Sequence, residues 1–406
     1  MSRIVFRNAN LLDGDNPSRP NTTVVVEGER IAEVTPAAAP QRAGDQVVDL
    51  AGMTLMPGMV SGHYHAAYSM GGEHKIGMAA PPTQLALYAL ANTQKALRAG
   101  YTSLVGAGTF HDVDARVAEA IDSGMVVGPR LIPSSRALSP KVSEDEPVQG
   151  VPWLRCWGPD EFRAAAIAEV ERGAKVVKLF AAQGHAMRSC REMTYEELKA
   201  ATDAAHELGA RTRAHVCGAA QVLKCVKAGV DIIDHADWMD DEVIDALIAN
   251  NKFVLPSMYT PWLSSADGTL DGAEYYDEED FEYMRRMVPV ANARGVKFVP
   301  GDDYGFFDMA PHGDYSRELA CYVEQVGISP LDVIRWATKF GGEMTGIPDL
   351  GVIARGKLAD MVIVDGDPSI DITILQRPER IIAVLKGGEV VSGRLPAAAA
   401  RAMAAA

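Results

Sequence analysis

The stretch AHELGARTRAHVCGAAQVLKCVKAGVDIIDHADW (205–238) decides the fold. It reads as the end of a helix, a short strand over 211–215, a helix closed by Gly229, and a second strand over 231–235. Strand, crossover helix and strand within about thirty residues is the unit from which parallel sheets are built. Both strands end on a histidine, His215 and His235.

The same texture extends to either side. Short apolar runs at 58–63, 102–106, 130–134, 175–180, 211–215, 231–235, 253–257 and 296–301 alternate with helical patterns such as QLALYALANTQKALRAG and TYEELKAATDAAHELGA. Eight such units over roughly 280 residues have the size of an α/β fold of the (β/α)8 TIM barrel type. A doubly wound open sheet is the alternative, but the G-x-G-x-x-G turn that commonly follows its first strand is absent. The two ends read differently, as short strands punctuated by Gly and Pro: TTVVVEGERIAEV near the start, ADMVIVDGDP and RIIAVLKGGEVVSG near the finish. The expected organisation is a barrel over 57–345 and a small discontinuous β-sandwich domain built from both termini, 1–56 plus 346–395. An Ala-rich tail without assigned function occupies 396–406.

Composition narrows the function. Thirty-nine basic residues against fifty-four acidic ones give a formal charge of −15, and no Lys/Arg cluster relieves it, so nucleic acid and anionic membranes are poor partners. No signal-like leader and no apolar run of about 18 residues is present, which fits a cytoplasmic protein with no membrane association. Five cysteines without C-x-x-C spacing argue against a disulfide framework or a thiolate zinc site. The expected partner is a small-molecule substrate, and a homo-oligomer is compatible with such a chain.

The polar residues at the strand ends carry the chemistry. His63 and His65 close the first strand as H-x-H, on one face by the period of two. Lys178 lies near the end of the fourth strand, His215 and His235 end the fifth and sixth, and Asp302 and Asp303 follow the eighth. Singly, each is an ordinary polar strand end. Together, five strands bring imidazole, amine or carboxylate to the end of a barrel where active sites form, and imidazole and carboxylate are the ligands that Zn²⁺ and similar ions take.

PGMVSGHYH (57–65), KVVKLF (175–180), AHELGARTRAHVCG (205–218), AGVDIIDHADWMDD (228–241), VPGDDYG (299–305) and GVIARGKLADMVIVDGDP (351–368) resemble the amidohydrolase superfamily of metal-dependent hydrolases. The resemblance is strongest to its imidazolonepropionase-like and prolidase-like group with a carboxylated lysine. It implies one metal on His63, His65 and Asp303, and a second on His215 and His235. Lys178, as its CO2-derived carbamate, would bridge the two divalent ions: Zn²⁺ first, with Mn²⁺, Co²⁺ or Fe²⁺ as alternatives. It also implies metal-activated hydroxide, with Asp303 as general base and then acid.

Three departures bear on the substrate. Ser61 stands where relatives often have Asp or Asn, SPKVSEDEP (139–147) replaces a Gly-Gly-His loop motif, and Cys217 stands where prolidase-like relatives often have Tyr. The last two differences remove groups that hold a substrate carboxylate. Nine aromatics (Tyr64, Tyr68, Trp153, Trp157, Tyr259, Trp262, Tyr304, Phe306 and Phe307) fall near the same end. They point to an apolar or aryl substrate cleaved at an amide, urea, carbamate or cyclic amide. His185, Tyr64 and Tyr304 are the candidate substrate contacts, with His74 and His111 in neighbouring loops. The alternatives are an Xaa-Pro dipeptidase or carboxypeptidase, a mononuclear deaminase and a non-catalytic scaffold. Gly218 stands where deaminases and imidazolonepropionases carry a Glu proton shuttle, and the scaffold reading conflicts with a complete ligand set.

Overall fold

The computed structural model describes residues 3–36, 39–69, 76–77, 79–146, 153–182, 191–267, 278–306 and 310–396. All eight expected central strands are present: β1 (Met59–Tyr64), β2 (Tyr101–Gly106), β3 (Arg130–Ile132), β4 (Val176–Phe180), β5 (Arg211–Val216), β6 (Ile232–His235), β7 (Phe253–Leu255) and β8 (Lys297–Phe298). Strands β1 to β3 form one parallel sheet, and β4 to β8 run side by side in a second. Helices make the crossovers that parallel neighbours require: α1 (Pro82–Arg98), α2 (Val113–Asp122), α3 (Gly158–Glu171), α4 (Tyr195–Glu207), α5 (Ala219–Ala228), α6 (Asp241–Ala249), α7 (Tyr259–Asp267) and α8 (Glu278–Arg294), and α9 (Tyr315–Glu324) follows β8. The two sheets touch at both ends. Ser134, just past β3, bridges in parallel to Val176 of β4, and the Gly62 N–H of β1 donates to the Pro300 carbonyl beyond β8 at 2.7 Å.

Two further strands, Ala137–Pro140 and Trp153–Cys156, lie between β3 and α3. They pair in parallel with each other, and Leu138 pairs with Leu179 of β4. They are too short and too polar to stand out from a loop by periodicity.

Side-chain parity explains what faces inward. Val176, Ile232 and Phe253 pack with Val60, Val105, Leu255, Val299 and Met344 in one cluster, whereas their neighbours Val177, Ile233 and Val254 pack against the helices. Lys178 shares the parity of Val176, and Asp234 that of Ile232. His235 would then point outward, but its φ of +74° breaks the alternation and turns it back toward His215. In β1 a register irregularity between Ser61 and Tyr64 lets Gly62 and His63 both face inward.

The termini meet in one mixed eight-stranded sheet. Strand Thr54–Pro57 pairs with Arg3–Leu11 on one side and with Met361–Val364 on the other. Phe6, Leu11, Val24, Leu55, Met361, Ile363 and Leu385 form its apolar core.

Gly301 decides how closely the end of β8 approaches β1. A Cβ there would lie 2.1 Å from the His63 backbone nitrogen. Gly301→Ala should therefore cost about 1–3 kcal/mol or more by overpacking, and should displace His63 from Asp303, weakening whatever metal affinity those two residues carry. Chemical denaturation and metal titration of the variant check both effects.

Candidate metal centre

His63 and His65 leave the end of β1, and Asp303 follows Gly301 and Asp302 beyond β8. Asp303 Oδ1 lies 3.0 Å from His63 Nε2 and 3.1 Å from His65 Nε2, and the two Nε2 atoms are 3.2 Å apart. Among the described residues, these three form the His/Cys/Asp/Glu group close enough to share an ion. Asp302 is turned away. It accepts from the Tyr259 and Thr260 N–H groups, the Thr260 hydroxyl and the Asp303 N–H, so the first turn of α7 uses one acid while the other faces the histidines.

The donor chemistry fits a cation. His65 Nδ1 lies 3.1 Å from the Gly108 carbonyl, which assigns the ring proton to Nδ1 and leaves Nε2 as a lone pair aimed at a carboxylate oxygen. Burial lowers the His65 pKa to about 4, favouring that neutral form. Burial pushes Asp303 upward, but His63 and His65 outweigh it and hold the carboxyl well below the usual range. Two imidazole nitrogens and a carboxylate oxygen within 3.2 Å of one another are the donor set that a Zn²⁺-like ion takes. Bonds of about 2.0–2.2 Å to one ion at near-tetrahedral or slightly smaller angles give ligand separations of about 3.0–3.4 Å.

His215 and His235 stand beside this cluster. Their rings meet edge to face at 4.5 Å between centroids, and His235 lies 5.4 Å from His63 by the same measure. His215 stacks on Phe180. Lys178 is buried, and its Nζ donates to Asp234 Oδ2 at 2.6 Å. Burial lowers the lysine pKa although Asp234 opposes it. Burial also raises Asp234, but Arg213 and Lys178 more than compensate and hold it well below the usual carboxylate range.

Asp234 and Arg213 were not singled out from the sequence. The available signal was parity: Arg213 shares a face with His215, and Asp234 interrupts an apolar run just before His235.

Two expected substrate contacts do not reach the site. Tyr64 and Tyr304 are fully buried on the helix side of the strands; the Tyr64 hydroxyl lies 3.0 Å from that of Tyr315, and Tyr304 donates to the Tyr315 carbonyl. Tyr64 follows from the alternation that turns His63 and His65 the other way. His185 and His74 lie outside the described residues. The aromatic that does meet the cluster is Tyr68, stacked on His65 at 4.2 Å and 8°, with Phe110 behind it at 4.6 Å and Phe306 at 6.0 Å. Tyr64→Phe should cost about 1 kcal/mol from the lost hydrogen bond and leave KM unchanged, as thermal unfolding and steady-state kinetics would record.

No helix among the described residues is long and apolar enough to cross a membrane. The model of the amidohydrolase family matches residues 54–391. The chain is similar to ochratoxinase of Aspergillus niger, 28% identical over 378 residues that cover 84% of this chain and 76% of that protein. It is also similar to imidazolonepropionase of Cutibacterium acnes, 25% identical over 392 residues, 88% of this chain and 89% of the relative. Among solved structures it resembles a Xaa-Pro dipeptidase with bound methionine in the active site. That match has a TM-score of 0.83 and 25% identity, covering 96% of this chain and 99% of the other.

Proposed function

This chain belongs to the amidohydrolase family and is a hydrolase acting on C–N bonds, and we propose that it cleaves a non-peptide amide, urea, carbamate or cyclic amide of an apolar or aryl substrate. The observation that carries the reading is the convergence of His63 Nε2, His65 Nε2 and Asp303 Oδ1 beside a wall of Tyr68, Phe110 and Phe306. The hydrogen bond from Gly62 to Pro300 and the bridge from Ser134 to Val176 support a closed (β/α)8 barrel over 57–345, with the sheet of both termini as a second, discontinuous domain.

In this reading His63, His65 and Asp303 would hold one divalent ion and His215 and His235 a second, most simply Zn²⁺, and Lys178, as its carbamate, would serve both. Burial of the Lys178 amine supports the last assignment, because the neutral amine is the form that reacts with CO2. Divalent ions there supply the Lewis acidity that makes water nucleophilic near neutral pH and polarises the scissile carbonyl. The protein does the rest. Both histidine contacts of Asp303 fall on Oδ1, which leaves Oδ2 to take a proton from the attacking water and deliver it to the leaving nitrogen. Asp303 suits that role by access: its side chain is 20% exposed, against 1% for His63 and 7% for His65. Tyr68, held between His65 and Phe110, sets the apolar side of the site, and the partly exposed Phe306 is a ring on which a substrate can pack.

A second reading, hydrolysis of Xaa-Pro dipeptides, is favoured by the likeness to a Xaa-Pro dipeptidase. Against it, three cations of and beside the loop after β3, among the described residues, are engaged by acids. Lys141 pairs with Glu161, Arg155 with Glu146 and Arg191 with Glu197. A substrate carboxylate would have to displace one of them. A panel of N-acyl amino acids, anilides, phenylureas, carbamates and Xaa-Pro dipeptides, assayed with metal-loaded protein, separates the two. Aryl amides are expected to outperform dipeptides in kcat/KM, and fast Xaa-Pro cleavage without aryl-amide turnover would reverse the order of the readings.

A further inference from the structure

Beneath the ligand cluster lies a guanidinium with no access to solvent. Arg213 comes from the inner face of β5, two residues before His215, and both it and Asp234 have fully buried side chains. Its Nε donates to Asp234 Oδ2 at 3.0 Å and its Nη2 to Asp234 Oδ1. Its Nη1 donates to two carbonyls of other strands, Gly62 and Gly106, at 2.8 Å each. One rigid fork therefore ties β5 to β1, β2 and β6.

The positions of those partners matter. The Gly62 carbonyl belongs to the peptide unit whose nitrogen is that of His63. Gly106 is two residues before Gly108, whose carbonyl meets His65 Nδ1. Asp234 receives Lys178 Nζ, lies 3.5 Å from His63 Nδ1 and directly precedes His235. Every strand that brings a residue to the site, apart from β8, is reached from this one side chain directly or through Asp234. Even β8 is one step away, since the N–H of Gly62 donates to Pro300.

Stability alone does not account for the pair. A buried ion pair gains little over apolar residues of the same volume, because desolvation offsets the attraction. Apolar packing is available nearby, with Val60, Val105, Val176 and Ile232 in the same interior. What apolar residues cannot provide is direction. A planar fork fixes the orientation of a carboxylate and of two carbonyls at once, which a lysine ammonium cannot do.

We propose that the Arg213–Asp234 pair is the positioning element of this site, fixing the relative places of His63, His65 and Lys178 so that the ligand set is formed before any ion arrives. The inference rests on the reading of His63, His65 and Asp303 as metal ligands. It is tested with Co²⁺ on the full chain, comparing wild type, Arg213→Lys and the neutral, hydrogen-bonding double variant Arg213→Gln/Asp234→Asn. The readouts are cooperative thermal unfolding of the metal-free protein, Co²⁺ affinity by chelator competition, and the visible d–d spectrum of the bound ion.

Both variants are expected to unfold cooperatively, to bind Co²⁺ roughly 10–100-fold more weakly and to show an altered d–d band. A folded variant with wild-type affinity and an unchanged band would overturn the inference. So would failure of both variants to fold, because the pair would then serve folding rather than placement. A His63→Ala/His65→Ala control that binds Co²⁺ as wild type does would instead remove the metal reading, and this inference with it.

Discussion

If the site binds two ions as proposed, Lys178→Ala is expected to lose at least one of them and nearly all turnover while the chain stays folded. Lys178 sits inside the strands against Asp234, and Arg213 remains on that carboxylate when the amine is gone. The destabilisation should therefore not exceed the ~3–5 kcal/mol that opening a buried ion pair costs. Metal analysis, unfolding and kinetics on the same preparation separate loss of the site from loss of the fold. If the lysine acts as a carbamate, bicarbonate or a short carboxylic acid should restore part of the activity by supplying the missing carboxylate. Lys175, three residues earlier and exposed on the other parity, is the control: Lys175→Ala should change stability by no more than about 0.5 kcal/mol. Two ions and normal turnover in Lys178→Ala would replace the binuclear reading with a mononuclear one built on His63, His65, His215 and Asp303.

Asp303→Asn is the second large effect. The amide keeps the shape of the side chain but cannot accept a proton from water and return it to nitrogen. A fall of about 10²–10⁴-fold in kcat is the range that positioned proton transfer contributes. The neighbouring acid behaves differently. Asp302 is committed to Tyr259, Thr260 and the Asp303 N–H, so Asp302→Asn should act mainly through the placement of α7 and of Asp303. Its kcat loss should be smaller, with a larger share in stability. Equal losses in the two variants would argue against a distinct proton-transfer role for Asp303.

Much of this architecture was legible in the chain. The period of two that puts His63 and His65 on one face of β1 is a local property, and so is the strand–helix–strand rhythm of 205–238. The same rule, applied to Tyr64, sends it away from the histidines, and there its hydroxyl meets that of Tyr315. Tyr304 was less predictable, because its direction depends on how the chain turns after Gly301. His235 needed more than a period: strict alternation points it outward, and only a positive φ brings it beside His215. The choice between Asp302 and Asp303 came from resemblance, and its physical basis is the demand of α7 for a buried acceptor at its first turn. Arg213 was invisible for a different reason. A charged residue in a strand reads as an exposed one until its partners, on three other strands distant in sequence, are known.

The most direct test of the metal-dependent reading is an anomalous difference map from crystals of the Zn²⁺-loaded protein, collected on both sides of the zinc edge. The expected map has one peak about 2.0–2.2 Å from His63 Nε2, His65 Nε2 and an Asp303 carboxylate oxygen. A second peak is expected at His215 and His235, with density for a carbamate on Lys178 between the two. A map with no peak among His63, His65 and Asp303 would contradict the account.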